Sequence, residues 1–164
     1  MKTIPLSKGK TALVSDEDFK YLSRFKWYAG HTNPWQWYAY RNAWVAGRKT
    51  MLTMHRHIMG SPRGMDVDHR DGDGLNNTRE NLRICTRSEN LQNRKLNANN
   101  TSGYRGVLKY KNRWLVQMTI AGKRRRLGLF ATAEEAAQAY NEAARRHYGQ
   151  FARLNIITIG GDQP

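Results

Sequence analysis

The chain turns on the stretch Val67-Asp68-His69-Arg70-Asp71-Gly72-Asp73-Gly74-Leu75-Asn76-Asn77-Thr78-Arg79-Glu80-Asn81-Leu82-Arg83. Met65 and Val67 form an apolar approach that the Asp-His pair closes, and Leu82 and Ile84 form a second one after a turn-rich segment. Thr86-Arg87-Ser88-Glu89-Asn90 then reads as a helix start, with Thr86 as N-cap and Glu89 three residues on completing a capping box. Strand, loop, strand and helix would bring Asp68, His69 and Asn90 together. A carboxylate and an amide oxygen are hard donors that suit one divalent ion, Mg2+ or Mn2+. A neutral imidazole beside them can take a proton from water, because its ordinary pKa lies near neutrality. Metal plus base is what hydrolysis of a phosphodiester requires. The plainer alternative is a polar turn in which Asn76-Asn77 merely tolerate left-handed backbone.

Residues 67–93 resemble the HNH nucleases, in the homing-endonuclease branch that reads Asp-His-x-Asp-Gly-x…Asn-Asn…Asn-Leu-Arg…Asn. The resemblance implies that His69 is the general base, that Asp68 and Asn90 hold the metal ion, and that Asn81 braces the loop presenting the histidine. Asn90 stands where the family name has a histidine, and Asn93, one turn on, competes for that role. The branch also carries His-Arg just upstream, which implies that His55 packs near the active loop and that Arg56 touches a phosphate. His55 and His57 do not read as a zinc pair, since a spacing of two leaves one helical face and no cysteine or third histidine lies nearby.

The 164 residues carry a formal net charge of +15, and 39% are hydrophobic, enough for small cores. The cationic excess is spread over residues 1–100 and 101–164 alike, which favours a polyanionic partner, first of all double-stranded DNA. The single cysteine, Cys85, excludes an internal disulfide and a Cys-based zinc knuckle, and reads as a small core residue. No apolar run approaches membrane-spanning length, and Met1-Lys2-Thr3-Ile4-Pro5 lacks a signal-peptide core. The expectation is a soluble protein of a reducing cytoplasm, with no membrane and no obligate protein partner.

Upstream of the anchor, Ile4 to Val14 suggests a short strand or hairpin. Ser15 with Asp16-Glu17-Asp18 predicts an N-capped helix over 16–25. From Trp27 to Met54 the pattern is strand-like, with a hairpin turn at Ala46-Gly47-Arg48-Lys49. Trp27, Trp35, Trp37 and Trp44 read as core and cross-strand pairs, with a base-stacking platform as the rival reading. Met54 to Gly60 reads as a short helix. Downstream, residues 94–101 are polar and apolar-poor, a linker whose Arg94 and Lys95 would lie near DNA phosphates.

Residues 102–156 have a separate logic. Strands begin at Ser102–Val107 and span Arg113–Ile120, and a third follows the Ala121-Gly122-Lys123 turn. Thr132-Ala133-Glu134-Glu135 opens a helix whose alanine stripe lets it lie close on one sheet face. The free face is expected to gather Arg105, Lys109, Arg113, Arg124 and Arg126, a plausible major-groove reader. Tyr104-Arg105-Gly106-Val107, Arg113-Trp114, Leu127 to Tyr140 and Ala152-Arg153-Leu154-Asn155 are similar to the Apetala/ethylene-response-factor DNA-binding domain. That resemblance implies DNA contacts by Arg105 and Arg124, and a backbone contact by Tyr140. Leu108, Tyr110 and Arg126 stand where the plant factors carry Arg, Arg and Trp, so their target sequence does not transfer.

The expected fold class is α+β: a small ββα-metal nuclease module, then a three-stranded antiparallel sheet packed on one helix. The domains would be 1–93 (motif 54–93), linker 94–101, DNA-binding domain 102–156 and tail 157–164. The expected activity is site-selective, homing-type cleavage of DNA, of the kind phage and bacterial mobile introns encode. A non-catalytic DNA-binding transcriptional regulator and an RNA-binding or RNA-cleaving module are the rival readings.

Overall fold

The computed structural model describes residues 1–33, 36–60, 62–93, 96 and 99–157, the side chains of Thr32 and Asn33 excepted. The chain divides into two compact units, Met1–Leu91 and Gln92–Pro164. Trp35, Arg94, Lys95, half of the expected linker and the tail beyond Ile157 lie outside the described residues.

In the first unit, β1 (Lys2–Pro5) and β2 (Thr11–Val14) form an antiparallel hairpin. Helix α1 (Asp16–Leu22) is shorter than the expected 16–25, because Ser23 already serves as its C-cap. Ser15 occupies the N-cap position without capping. Its Oγ instead accepts from the Arg79 backbone N–H at 2.9 Å. The acidic first turn is also engaged, since Arg79 donates from Nε and Nη2 to the two oxygens of Asp18 at 2.8 and 2.7 Å. Thus α1 fastens the far end of the anchor loop.

Strands β3 (Tyr28–Asn33), β4 (Gln36–Val45) and β5 (Arg48–Thr53) make an antiparallel sheet. The β4–β5 turn is the two-residue Ala46-Gly47, with φ of 49° and 73°, the geometry that matches strand twist. Helix α2 (Met54–Met59) follows and ends at Gly60 in the left-handed region, φ 53°. The core gathers Ile4, Ala12, Val14, Leu22, Trp27, Ala39 and Met54. The tryptophans therefore separate: Trp27 is core, Trp37 lies edge-on to His31 at 4.8 Å, and Trp44 is 76% exposed.

Strands β6 (Asp66–His69) and β8 (Leu82–Cys85) pair antiparallel and lead into α3 (Arg87–Gln92), giving the ββα module. The Thr86–Glu89 capping box forms, with Glu89 N donating to Thr86 Oγ1 and Glu89 Oε2 accepting from Thr86 N. Asn76–Asn77 is a short strand, β7, parallel to β2. The Asn pair is thus extended, and its contribution is a sheet junction rather than a left-handed turn.

The second unit holds β9 (Val107–Tyr110), β10 (Arg113–Ile120) and β11 (Lys123–Phe130), antiparallel with β10 central. Helix α4 (Ala133–Tyr148) opens on a complete Thr132–Glu135 capping box. Its Ala136, Ala137, Tyr140 and Ala144 pack on Val107, Val116 and Met118. Gly106, at φ 71°, allows this closeness, since a Cβ there would collide with the Tyr140 ring.

Candidate active site and DNA-binding surface

Strand register decides which side chains share a face. Asp68 lies directly across from Arg83, and Asp66 across from Cys85, so by alternation these four point one way. Arg83 donates from Nε at 2.8 Å and Nη2 at 2.6 Å to Asp68 Oδ2. Both side chains are buried, which fixes the carboxylate in a dry setting. Asp66 in turn accepts from Asn90 Nδ2 at 3.0 Å and from Arg87 Nη1 at 3.2 Å, with Arg56 Nη1 at 3.9 Å. Asn90 foremost, then Arg87, holds the Asp66 carboxyl below the usual range. Because Asp66 must face a donor, Asn90 turns its Nδ2 inward, which fixes the direction of Oδ1. Asn90 is thereby anchored one pleat from Asp68 on the same side of β6.

Asn81 ties the loop at both ends. Its Oδ1 accepts from Asp71 N at 3.1 Å, while Nδ2 donates to Asp71 Oδ1 at 2.9 Å and Asn76 O at 2.8 Å. The backbone adds Arg70 N to Asn81 O and Gly72 N to His69 O, both 2.9 Å. Asp71 also takes Asn76 Nδ2 at 2.8 Å, so it serves the loop's shape.

His69 is 4% exposed. Burial lowers its pKa; the Asn77 hydrogen bond and the charges of Asp71, Asp68 and Asp73 oppose this without cancelling it. The imidazole is therefore neutral at neutral pH, the form a general base requires. Tyr38 and His55 enclose it, with ring centroids 5.9 and 5.0 Å away. His55 Nε2 lies 3.2 Å from Thr53 Oγ1, while its buried Nδ1 has no hydrogen-bond partner among the described residues. Burial pushes the His55 pKa down to about 3, aided by His69 and Arg56. Gly74 lets the loop approach this wall: a Cβ there would strike the Trp37 carbonyl and the Tyr38 ring.

Asp66, Arg83 and Tyr38 are absent from the sequence-derived set. Hairpin register could have found Arg83, and strand alternation Asp66; Tyr38 comes from another sheet and left no local signal. Among the described residues no group of three or more His, Cys, Asp or Glu could hold a metal ion. The donor chemistry still fits a hard ion, because a carboxylate and an oriented amide oxygen leave its other positions to water and phosphate.

The register of the second unit corrects part of the expected DNA-binding face. Arg113, Arg124 and Arg126 fall in the rows facing away from α4, paired with Tyr110, Thr119 and Gln117. Lys109 does not: it shares the helix-side row with Trp114, its Nζ 4.7 Å from that ring centroid. Arg105 lies in the turn before β9, half-buried, with its guanidinium pKa lowered by burial. Its backbone is clamped by Asn155, through Arg105 N to Asn155 Oδ1 at 2.6 Å. Tyr140 is 5% exposed and belongs to the sheet–helix core.

An HNH endonuclease family profile matches residues 54–92, which span α2 and the ββα module. A protein of Acanthamoeba polyphaga mimivirus, named as an uncharacterized HNH endonuclease, is 31% identical over 156 residues, covering 92% of this chain and 77% of its own. Protein 3.8 of Escherichia phage T7 is 37% identical over 118 residues, covering 71% and 97%. The chain belongs to the HNH endonuclease family. The chain is also similar over a short stretch to a dehydration-responsive element-binding protein of Oryza sativa, 54% identical over 56 residues that are 32% of this chain and 18% of that protein. No solved structure matches the chain.

Proposed function

We propose that this nuclease is a site-selective, homing-type DNA endonuclease that uses one divalent ion, Mg2+ or Mn2+, and His69 as general base. The observation that carries the reading is the shared support of the three groups: Arg83 pins Asp68, Asp66 turns Asn90, and a dry wall keeps His69 neutral. Asp68 and Asn90 would hold the ion, which supplies charge stabilisation at the phosphate and the departing oxygen. His69 takes the proton of the attacking water, while Asn81 keeps the loop that carries it in shape. Asn90 is favoured over Asn93 as the ligand because Asp66 holds its amide on the Asp68 side of β6.

Duplex DNA is held by Arg113, Arg124 and Arg126 on the open sheet face, with Arg56 near the cleaved strand, and Arg94, which lies outside the described residues, is a further candidate phosphate contact. Arg105 and Lys109 can add phosphate contacts from their places at the sheet's margin. Tyr140 acts indirectly, by holding the sheet on α4. The viral relatives support a mobile-element or phage origin and action in the host cytoplasm. The test is cleavage mapping on duplex libraries at graded Mg2+ or Mn2+. Cuts should cluster at one sequence, vanish with EDTA and return with metal. Cleavage that is scattered or indifferent to EDTA would refute the reading.

A further inference from the structure

We propose that Leu108 and Leu129, the exposed ends of a leucine row with buried Leu115 at its centre, read thymine methyl groups in the major groove. The inference rests on the reading that the open sheet face meets duplex DNA, and it adds what that face selects.

The register places the three leucines side by side across all three strands: Leu108 pairs with Leu115, and Leu115 with Leu129. The adjacent row, Val107, Val116 and Gly128, faces α4, so the leucine row faces away from it. Leu108 and Leu129 are 38% and 41% exposed, while Leu115 between them is 7% exposed. Beyond the row on one side stands Arg113 beside Tyr110; on the other, Gln117 beside Arg126 and Thr119 beside Arg124. The face is therefore an apolar bar framed by guanidinium groups.

That frame suits a polyanion, and the bar requires apolar points set between its charges. The major groove supplies both, because each thymine offers a C5 methyl between two phosphate backbones. Duplex RNA lacks that methyl, and its deep groove excludes such a face. Two strand spacings of about 4.8 Å span roughly 10 Å, close to three base-pair steps of about 3.4 Å. The row thus spans about three base-pair steps, with Arg113 and Tyr110 flanking it on one side and Gln117 and Arg126 on the other.

The test uses the full chain without metal, so that binding is read without cleavage. Duplexes selected from a randomised pool are resynthesised with single thymines replaced by deoxyuridine, which removes only the methyl. Wild type should lose about fourfold in affinity at each thymine under the row, the worth of one buried methyl. The variant L108A/L129A should bind thymine and uracil duplexes equally. Equal wild-type binding to both would overturn the inference, and needs no variant to fold. Metal-dependent cutting of those same duplexes would then still uphold the nuclease reading, so the two failures are distinct. Should R113A/R126A leave affinity and its salt dependence unchanged, the face is off the DNA and the inference falls as well.

Discussion

Arg83 donates from two nitrogens to a single oxygen of Asp68, and both side chains are buried. The carboxylate proposed to hold the ion is thus also a structural one. Removing one partner of such a pair strands a buried charge, at a cost of about 3–5 kcal/mol. R83A should therefore lose stability of that order in urea unfolding, and D68N/R83M much less. An R83A protein as stable as wild type would show the pair to be solvated.

Asp66 orients Asn90, the proposed metal ligand, by accepting from its Nδ2. D66A should release the Asn90 amide and raise the metal concentration for half-maximal cleavage by roughly 10–100-fold, as loss of a supporting hydrogen bond does. Saturating metal should recover most of the rate. Unchanged metal dependence would show that Asn90 needs no such hold.

The two parts of the site differ in how far the sequence revealed them. The ββα order, both capping boxes and the helix-on-sheet second unit follow from local patterning, because caps and alternation are set within a few residues. The Asp68–Arg83 pair needed the hairpin register, which the 12-residue gap between His69 and Leu82 leaves open. Tyr38 and the α1 clasp on Arg79 come from distant segments, which no local pattern announces. Lys109 was misplaced for a different reason: alternation from the buried Val107 puts it on the helix side. Trp44 shows the limit of aromatic patterning, since strand propensity does not say which end of a hairpin leaves the core.

Buried His55 makes the fold sensitive to acid. Its folded pKa of about 3 lies below the ordinary 6.5, so the unfolded chain binds the extra proton. The stability due to a neutral His55 is complete above about 6.5 and falls progressively as pH drops toward 3. Urea midpoints should decline between pH 7.5 and 5, and H55Q should flatten that decline. A midpoint independent of pH over this range would contradict the burial of this ring.

The most direct test of the account is the single-turnover cleavage rate of H69A on the wild-type cleavage site at saturating Mg2+, with binding measured in parallel. Loss of a general base should slow the chemical step by about 10²–10⁴-fold. Affinity for DNA should hardly change, because the base acts in the transition state. The acid limb of the wild-type pH–rate profile should also lie below 6.5, since burial lowers the His69 pKa. Cleavage by H69A at a rate comparable to wild type would contradict the assignment of this histidine and of the centre built around it.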